Sequence, residues 1–263
     1  DLSNAPSICV HCSVGCNTIA SERYGSLRRI MSRYNGAVNG YFICDRGRFG
    51  YEFVNSDNRL KTAQLRPNRN DSREPINNED LFSYLNKSFP GKQNLIGIGS
   101  PRATLESNYA LMALSGKENF YHGISKKEYL LTKIVSDYFL TSGIHTPSLK
   151  EIEKADAILI LGEDLTNTAP MIALAVRQAA RNLPDEEAKK NHIPLWKDIP
   201  VRELGQNEVS PIFIATTYKD SLDEISERTF RFSVQEIANL GNYVARNLDK
   251  KAPDAKSELK DLP

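Results

Sequence analysis

Four cysteines constrain this chain more than any other feature. They run Cys9-x2-Cys12-x3-Cys16-x27-Cys44, all within the first 44 of 263 residues. Three thiols in eight residues can wrap three corners of a compact metal–sulfur group, and a distant fourth closes the last corner. Ser13 and Gly15 keep the crowded loop small. Gly15 can also take the positive φ that a backbone needs when it turns beside a sulfur. The spacing favours one [4Fe–4S] cluster on Cys9, Cys12, Cys16 and Cys44. Structural zinc usually comes on two short pairs, C-x2-C…C-x2-C, and stays open as a rival. Disulfides or free thiols stay open as well, although four cysteines in this length are sparse for a secreted scaffold. His11 lies between two of the cysteines and competes by type as a ligand; a hydrogen-bonding or solvent-facing neighbour is the commoner role.

Charge points the same way. Residues 1–66 hold nine bases (Arg23, Arg28, Arg29, Arg33, Arg46, Arg48, Arg59, Lys61 and Arg66) against five acids (Asp1, Glu22, Asp45, Glu52 and Asp57). That segment is net basic and the rest is net acidic, for a whole-chain charge of +1. A cubane with four thiolates is an anion, and nearby arginines stabilise it; a solvated basic face explains the excess equally well. The whole-chain balance carries no nucleic-acid signature. No apolar run approaches the roughly 20 residues of a membrane span. The start, Asp1-Leu2-Ser3-Asn4-Ala5-Pro6-Ser7, lacks a signal peptide and an initiator Met, which reads as an excised internal fragment.

Patterning predicts an α/β fold in two parts. Residues 1–66 read as a small cluster-binding domain with short antiparallel strands at Asn17–Glu22 and Leu27–Arg33, turned at Tyr24-Gly25, with further turns at Asn35-Gly36 and Asn39-Gly40. A polar linker follows at Arg66–Asp71. Residues 67–248 read as a lobe with a mainly parallel sheet flanked by helices. Its strands are Leu95–Ile98 (buried), Ala157–Leu161, Ile212–Ala215 and Thr229–Phe232. Its helices are Asn78–Ser88, Arg102–Leu114, Pro170–Arg181 with Thr168 as cap, and the amphipathic Val234–Asn247. Asn182–Gln206 shows no clear pattern, and the charged, Pro-bearing tail 249–263 reads as disordered.

The run Ser7-Ile8-Cys9-Val10-His11-Cys12-Ser13-Val14-Gly15-Cys16 is followed by Arg23-Tyr24-Gly25-Ser26-Leu27-Arg28-Arg29 and by Arg33 through Cys44-Asp45-Arg46-Gly47-Arg48-Phe49-Gly50-Tyr51. These segments closely resemble the iron–sulfur domain of a family of respiratory proteins. That family is the G subunit, the large iron–sulfur subunit in the peripheral arm, of bacterial NADH-quinone oxidoreductases (respiratory complex I). It is itself related to molybdopterin oxidoreductases. The resemblance continues through Ile96–Ala103, Glu118–Tyr121, Thr146–Ile152, Leu159–Asp164 and Ala173–Ala179, and so covers most of residues 1–248. It implies a fragment of an oxidoreductase subunit that does not turn over by itself. The four cysteines would hold one [4Fe–4S] cluster off the main electron route, serving electron transfer or structural support. It implies other subunits of the peripheral arm as partners, no nucleic acid, no membrane span, and a peripheral place on the cytoplasmic side of the bacterial inner membrane. The complex would oxidise NADH, reduce quinone and pump protons.

The alternative is a lobe of a catalytic molybdopterin oxidoreductase of the formate dehydrogenase or nitrate reductase type. Against it, there is no fifth cysteine, and the turn Gly162-Glu163-Asp164…Ala169-Pro170 places an acidic pair where those relatives bind a pyrophosphate. No molybdopterin is expected. Gly97-x-Gly99-x-x-Arg102 lacks the third glycine of a dinucleotide fingerprint, so a tight strand-to-helix turn is the better reading, and neither NAD nor FMN is expected. Arg46 and Arg48 suit either cluster electrostatics or pairing with Asp/Glu. His122, His145 and His192 suit surface or packing roles. Tyr24, Tyr34, Tyr41, Phe42, Phe49, Tyr51 and Phe53 suit either a water shield for the cluster or the core of a small domain. Trp196 suits an anchor for its stretch or a subunit contact.

Overall fold

The computed structural model describes residues 1–89, 95–206 and 208–250. One compact unit joins Asp1–Asp57 to the chain from Pro147 onward; Asn58–Thr146 form the other.

The first unit begins with β1 (Ser3–Ile8), β2 (Asn17–Arg23) and β3 (Ser26–Ser32), an antiparallel sheet in the order β1-β2-β3. Tyr24 (φ 55°) and Gly25 (φ 73°) are both left-handed. A two-residue turn of that kind matches the twist of the strands it joins. β1 carries Pro6, which an edge strand tolerates. Short helices α1 (Asp45–Phe49) and α2 (Glu52–Asn55) follow.

The second unit holds the β4 (Gln64–Leu65) and β5 (Glu74–Pro75) hairpin and α3 (Asn78–Ser88), whose Asn77 side chain accepts from Asp80 N–H. A parallel pair, β6 (Gly97–Ile98) and β7 (Phe120–Tyr121), is bridged by α4 (Leu105–Ser115). The long α5 (Lys126–Thr141) starts in a Ser125/Glu128 capping box. The strand expected at Leu95–Ile98 shrinks to Gly97–Ile98, because its partner β7 offers only two residues; Ile96 and Ile98 are exposed, so that strand is not a buried one.

The first unit resumes with α6 (Leu149–Ile152), β8 (Ile158–Leu161), α7 (Leu165–Thr168), α8 (Pro170–Ala179), α9 (Asn182–Lys190), α10 (Asp198–Gly205), β9 (Ile212–Thr216), β10 (Arg228–Arg231) and α11 (Val234–Leu248). The strands form a parallel sheet in the order β10-β9-β8. The stretch without a sequence pattern is thus α9 and α10. Ile212 and Ile214 of the central strand join Ile160, Leu222 and the Ala173/Val176/Ala180 stripe on the α8 side. Ala215 joins Ile237 and Leu240 of α11 in a separate cluster. The alternation of Ile214 and Ala215 is the period of two of a strand buried on both faces. The chain is therefore mixed α/β, with short antiparallel strands at the N-terminus followed by helices and a parallel sheet. The tail beyond Lys250 lies outside the described residues.

The expected Thr168 cap is not used. Ala169, at φ −147°, breaks the path between α7 and α8, and α8 begins on Pro170 with no side-chain cap. Thr168 instead closes α7, its hydroxyl donating to the Asp164 carbonyl.

Candidate iron–sulfur site

The thiols come from two places. Cys9 follows the last residue of β1, and Cys12 and Cys16 lie in the loop that ends where β2 begins. Cys44 is the N-cap of α1, in extended conformation (φ −73°, ψ 166°). The Cys9 N–H donates to the Cys16 carbonyl (2.8 Å), which pinches the loop at its base. Gly15 does take positive φ (64°). The Gly47 N–H donates to Cys44 Sγ (3.4 Å). A Cβ on Gly47 would stand 3.3 Å from Cys9 Sγ and 3.8 Å from Cys44 Sγ, so the sulfurs from the two places flank one glycine. All four thiols are free.

Their electrostatics follow from this gathering. Burial, then the Cys12, Cys9 and Cys44 thiols, push the Cys16 thiol up to about 11. Cys9 is also raised, by burial first, against the lowering effect of the His11 N–H, with Cys12 and Cys44 adding to the rise. As thiolates these sulfurs would repel one another in a half-buried place, and a cationic core would stabilise that form. A cubane takes one thiolate at each of four irons. The donor set, the glycine cradle at Gly47 and the sulfur-directed N–H groups fit a cubane.

The loop is anchored from below. Cys16 and Ile43 form a buried cluster with Met171 of α8, and Leu149 packs against it. The His11 ring lies edge-on to Phe53 (6.2 Å between centroids). Arg46 is exposed and Arg48 half-buried, and neither is ion-paired among the described residues, which leaves the reading as carboxylate partners without support. Of the seven aromatics near the cysteines, Tyr24, Tyr34, Tyr41, Phe42, Phe49 and Phe53 are exposed, so they do not form the core of this part; Tyr51 is half-buried and its hydroxyl donates to the Arg28 carbonyl. Trp196 is 80% exposed, with the Lys197 ammonium over its ring at 5.3 Å, so it is not a buried anchor of its stretch.

Elsewhere the acidic turn is put to structural use. Asp164 accepts from the Asn167 side chain (2.7 Å) and N–H (3.0 Å) and lies 3.5 Å from the Tyr218 hydroxyl. These bonds, Asn167 first, hold its carboxyl below the usual carboxylate range. Tyr218 is raised by burial and by Asp164, Glu163 and Asp220. At Gly97 a Cβ would meet Ser115 Oγ at 2.5 Å, and at Gly99 it would meet Asn108 Oδ1 at 2.5 Å. Both glycines therefore serve close packing of α4 on β6, as a strand-to-helix turn requires. His122 stacks on Tyr129 (4.8 Å), a packing role.

Residues 3–56 match the molybdopterin oxidoreductase Fe4S4 domain. That stretch, which holds all four cysteines, is similar to a [4Fe–4S] domain. Beyond it, nearly the whole chain is similar to the G subunit of NADH-quinone oxidoreductase. It is 44% identical over 253 residues to that of Salmonella typhimurium and, at the same level, to that of Escherichia coli strain K12, covering 96% of this chain. It is 42% identical over 254 residues to that of Buchnera aphidicola. The chain spans 28% of the length of each of these relatives. The resemblance seen in the cysteine runs therefore extends along nearly the whole chain. Sequence reasoning missed Gly47 and Asn39 as parts of the site. Both stood in the sequence only as glycine and turn signals, since their decisive contacts lie 22 positions away for Asn39 (Asn17) and 38 for Gly47 (Cys9).

Proposed function

We propose that Cys9, Cys12, Cys16 and Cys44 each bind one iron of a single [4Fe–4S] cluster. The observation that carries this is that Cys9 and Cys44, from separate segments, meet at Gly47, while Cys12 and Cys16 lie close enough to these two to couple with them electrostatically, all inside the segment that matches the Fe4S4 domain. When bound, the cluster supplies one-electron chemistry. The chain's own residues hold it, lend N–H groups to the sulfurs and shape its surroundings with Arg46 and Arg48. The functional division is a cluster domain over 1–66 and a lobe over 67–248.

The chain works as part of an NADH-quinone oxidoreductase, in which this cluster transfers electrons or supports the structure while the complex oxidises NADH, reduces quinone and pumps protons. Its partners are the other peripheral-arm subunits, on the cytoplasmic side of the bacterial inner membrane. Likeness to the G subunit along 96% of the chain supports this, and no helix among the described residues is long and apolar enough to cross a membrane. An anaerobic redox titration followed by EPR tests the cluster assignment. A one-electron signal that appears on reduction, and is lost when any of the four cysteines is changed to Ser, supports it. A signal that survives Cys44→Ser contradicts the ligand set. Stoichiometric molybdenum or tungsten in the longer protein would favour the catalytic alternative.

A further inference from the structure

The buried side chain of Asn39 links the two sources of thiols. Its Oδ1 accepts from the Asn17 N–H (2.8 Å), the residue directly after Cys16. Its Nδ2 donates to the Phe42 carbonyl (3.0 Å), two residues before Cys44, and lies 3.2 Å from Ser32 Oγ. Asn39 is 3% exposed, so water cannot replace these partners cheaply. The main chain tightens the same join: the Phe42 N–H donates to the Asn39 carbonyl (3.1 Å), and the Asn39 N–H donates to the Asn35 carbonyl (3.1 Å). Phe42 is thus held at both its N–H and its carbonyl by one residue.

We infer that Asn39 is a positioning residue that sets the separation of Cys16 and Cys44 and so retains the iron at Cys44. This rests on the ligand set proposed above. Cys9, Cys12 and Cys16 share one loop, closed by the Cys9–Cys16 hydrogen bond, and keep their spacing without Asn39. Cys44 reaches that loop through a separate segment, and Asn39 is a hydrogen-bonding clasp between them beside the Cys16/Ile43 packing. A carboxamide is required because it is an acceptor toward Asn17 and a donor toward Phe42 at once. Aspartate would retain the acceptor and set an oxygen against the Phe42 carbonyl.

The consequence is readable in the cluster itself. A one-electron oxidant such as ferricyanide takes one electron from [4Fe–4S]2+, which releases Fe2+ and leaves [3Fe–4S]+. The product gives an EPR signal, whereas the oxidised four-iron cluster is silent. The chain, loaded anaerobically with iron and sulfide, is compared as wild type, Asn39→Ala, Asn39→Asp and Ser21→Ala. Ser21 is buried in the same sheet and bonded to Asn4 (2.6 Å), away from the clasp, so its variant loosens the sheet alone. Both Asn39 variants should give a three-iron signal about tenfold stronger than wild type at equal oxidant, and Ser21→Ala should stay near wild type. Equal signals from Asn39 variants and wild type overturn the inference, as does an equal rise in Ser21→Ala. A wild type that takes up no iron removes the ligand assignment and this inference with it. If the Asn39 variants do not fold, hydrogen exchange on wild type decides. Loading should slow exchange of the Asn17 amide about tenfold, because clasp and cluster stabilise each other; an unchanged rate overturns the proposal.

Discussion

The backbone N–H of Cys9 donates to the carbonyl of Cys16 over 2.8 Å, which fastens the first and third thiols of the sequence triplet through main chain alone. Between them Gly15 sits at φ 64°, a conformation that a β-branched residue enters only with strain. Gly15→Val should destabilise the iron-free chain by about 1–2 kcal/mol. It should also lower the iron retained after anaerobic loading. Urea melts and iron assays on the same samples check both effects.

Gly47 gives a test in which two readouts move in opposite directions. It lies inside α1, where alanine is the better helix former by up to about 1 kcal/mol. Its missing Cβ is also where the Cys9 and Cys44 sulfurs approach, at 3.3 Å and 3.8 Å. Gly47→Ala should leave the iron-free chain as stable as wild type or slightly more so. Crowding at the sulfurs, at about 1–3 kcal/mol, should weaken cluster retention roughly tenfold. An iron content equal to wild type would show that the cradle is not tight.

Ile214 is fully buried at the centre of the parallel sheet. Ile214→Ala should cost about 2–5 kcal/mol in chemical denaturation. Because the Cys16/Ile43 cluster rests on Met171 of α8, and α8 also packs on this core, the loss should appear as lower thermal stability of the loaded chain too.

Asp164 sets an acid dependence. Its folded carboxyl lies below the ordinary value of about 3.9, chiefly through Asn167. A depressed carboxylate contributes stability that is present above the unfolded value and is lost as pH falls through the folded one. Asp164→Asn should therefore reduce stability near neutral pH and flatten its fall between about pH 4 and the lower folded value. Denaturation midpoints across that range check this, and an unchanged acid slope would contradict the role.

Much of this was legible where local chemistry decides. The Tyr24-Gly25 turn fixed the β2–β3 hairpin, and the helix expected over Asn78–Ser88 is α3. The run Ala157–Leu161 ended by Gly162 indicated β8, which spans Ile158–Leu161, and the cysteine spacing indicated the site. The rest depends on partners distant in sequence. β1 is polar, wholly exposed and bears Pro6, so it shows as a strand only through its pairing with β2. α9 and α10 contain Pro184 and Pro200 and few apolar residues, and they are held largely by each other and by Ala188 and Val201. The aromatics around the cysteines suited by type either a shield or a core, yet most are exposed, since burial depends on what stands opposite and not on residue type. Asn39 read as a turn residue because its clasp joins Asn17 to Phe42, a contact no local pattern encodes.

The most direct test of the central claim is metal analysis of the chain loaded anaerobically with both iron and zinc on offer. Four irons and four acid-labile sulfides per chain, in a brown protein, are the expected result for the Fe4S4 domain over residues 3–56 held by Cys9, Cys12, Cys16 and Cys44. One zinc per chain with no iron would contradict it.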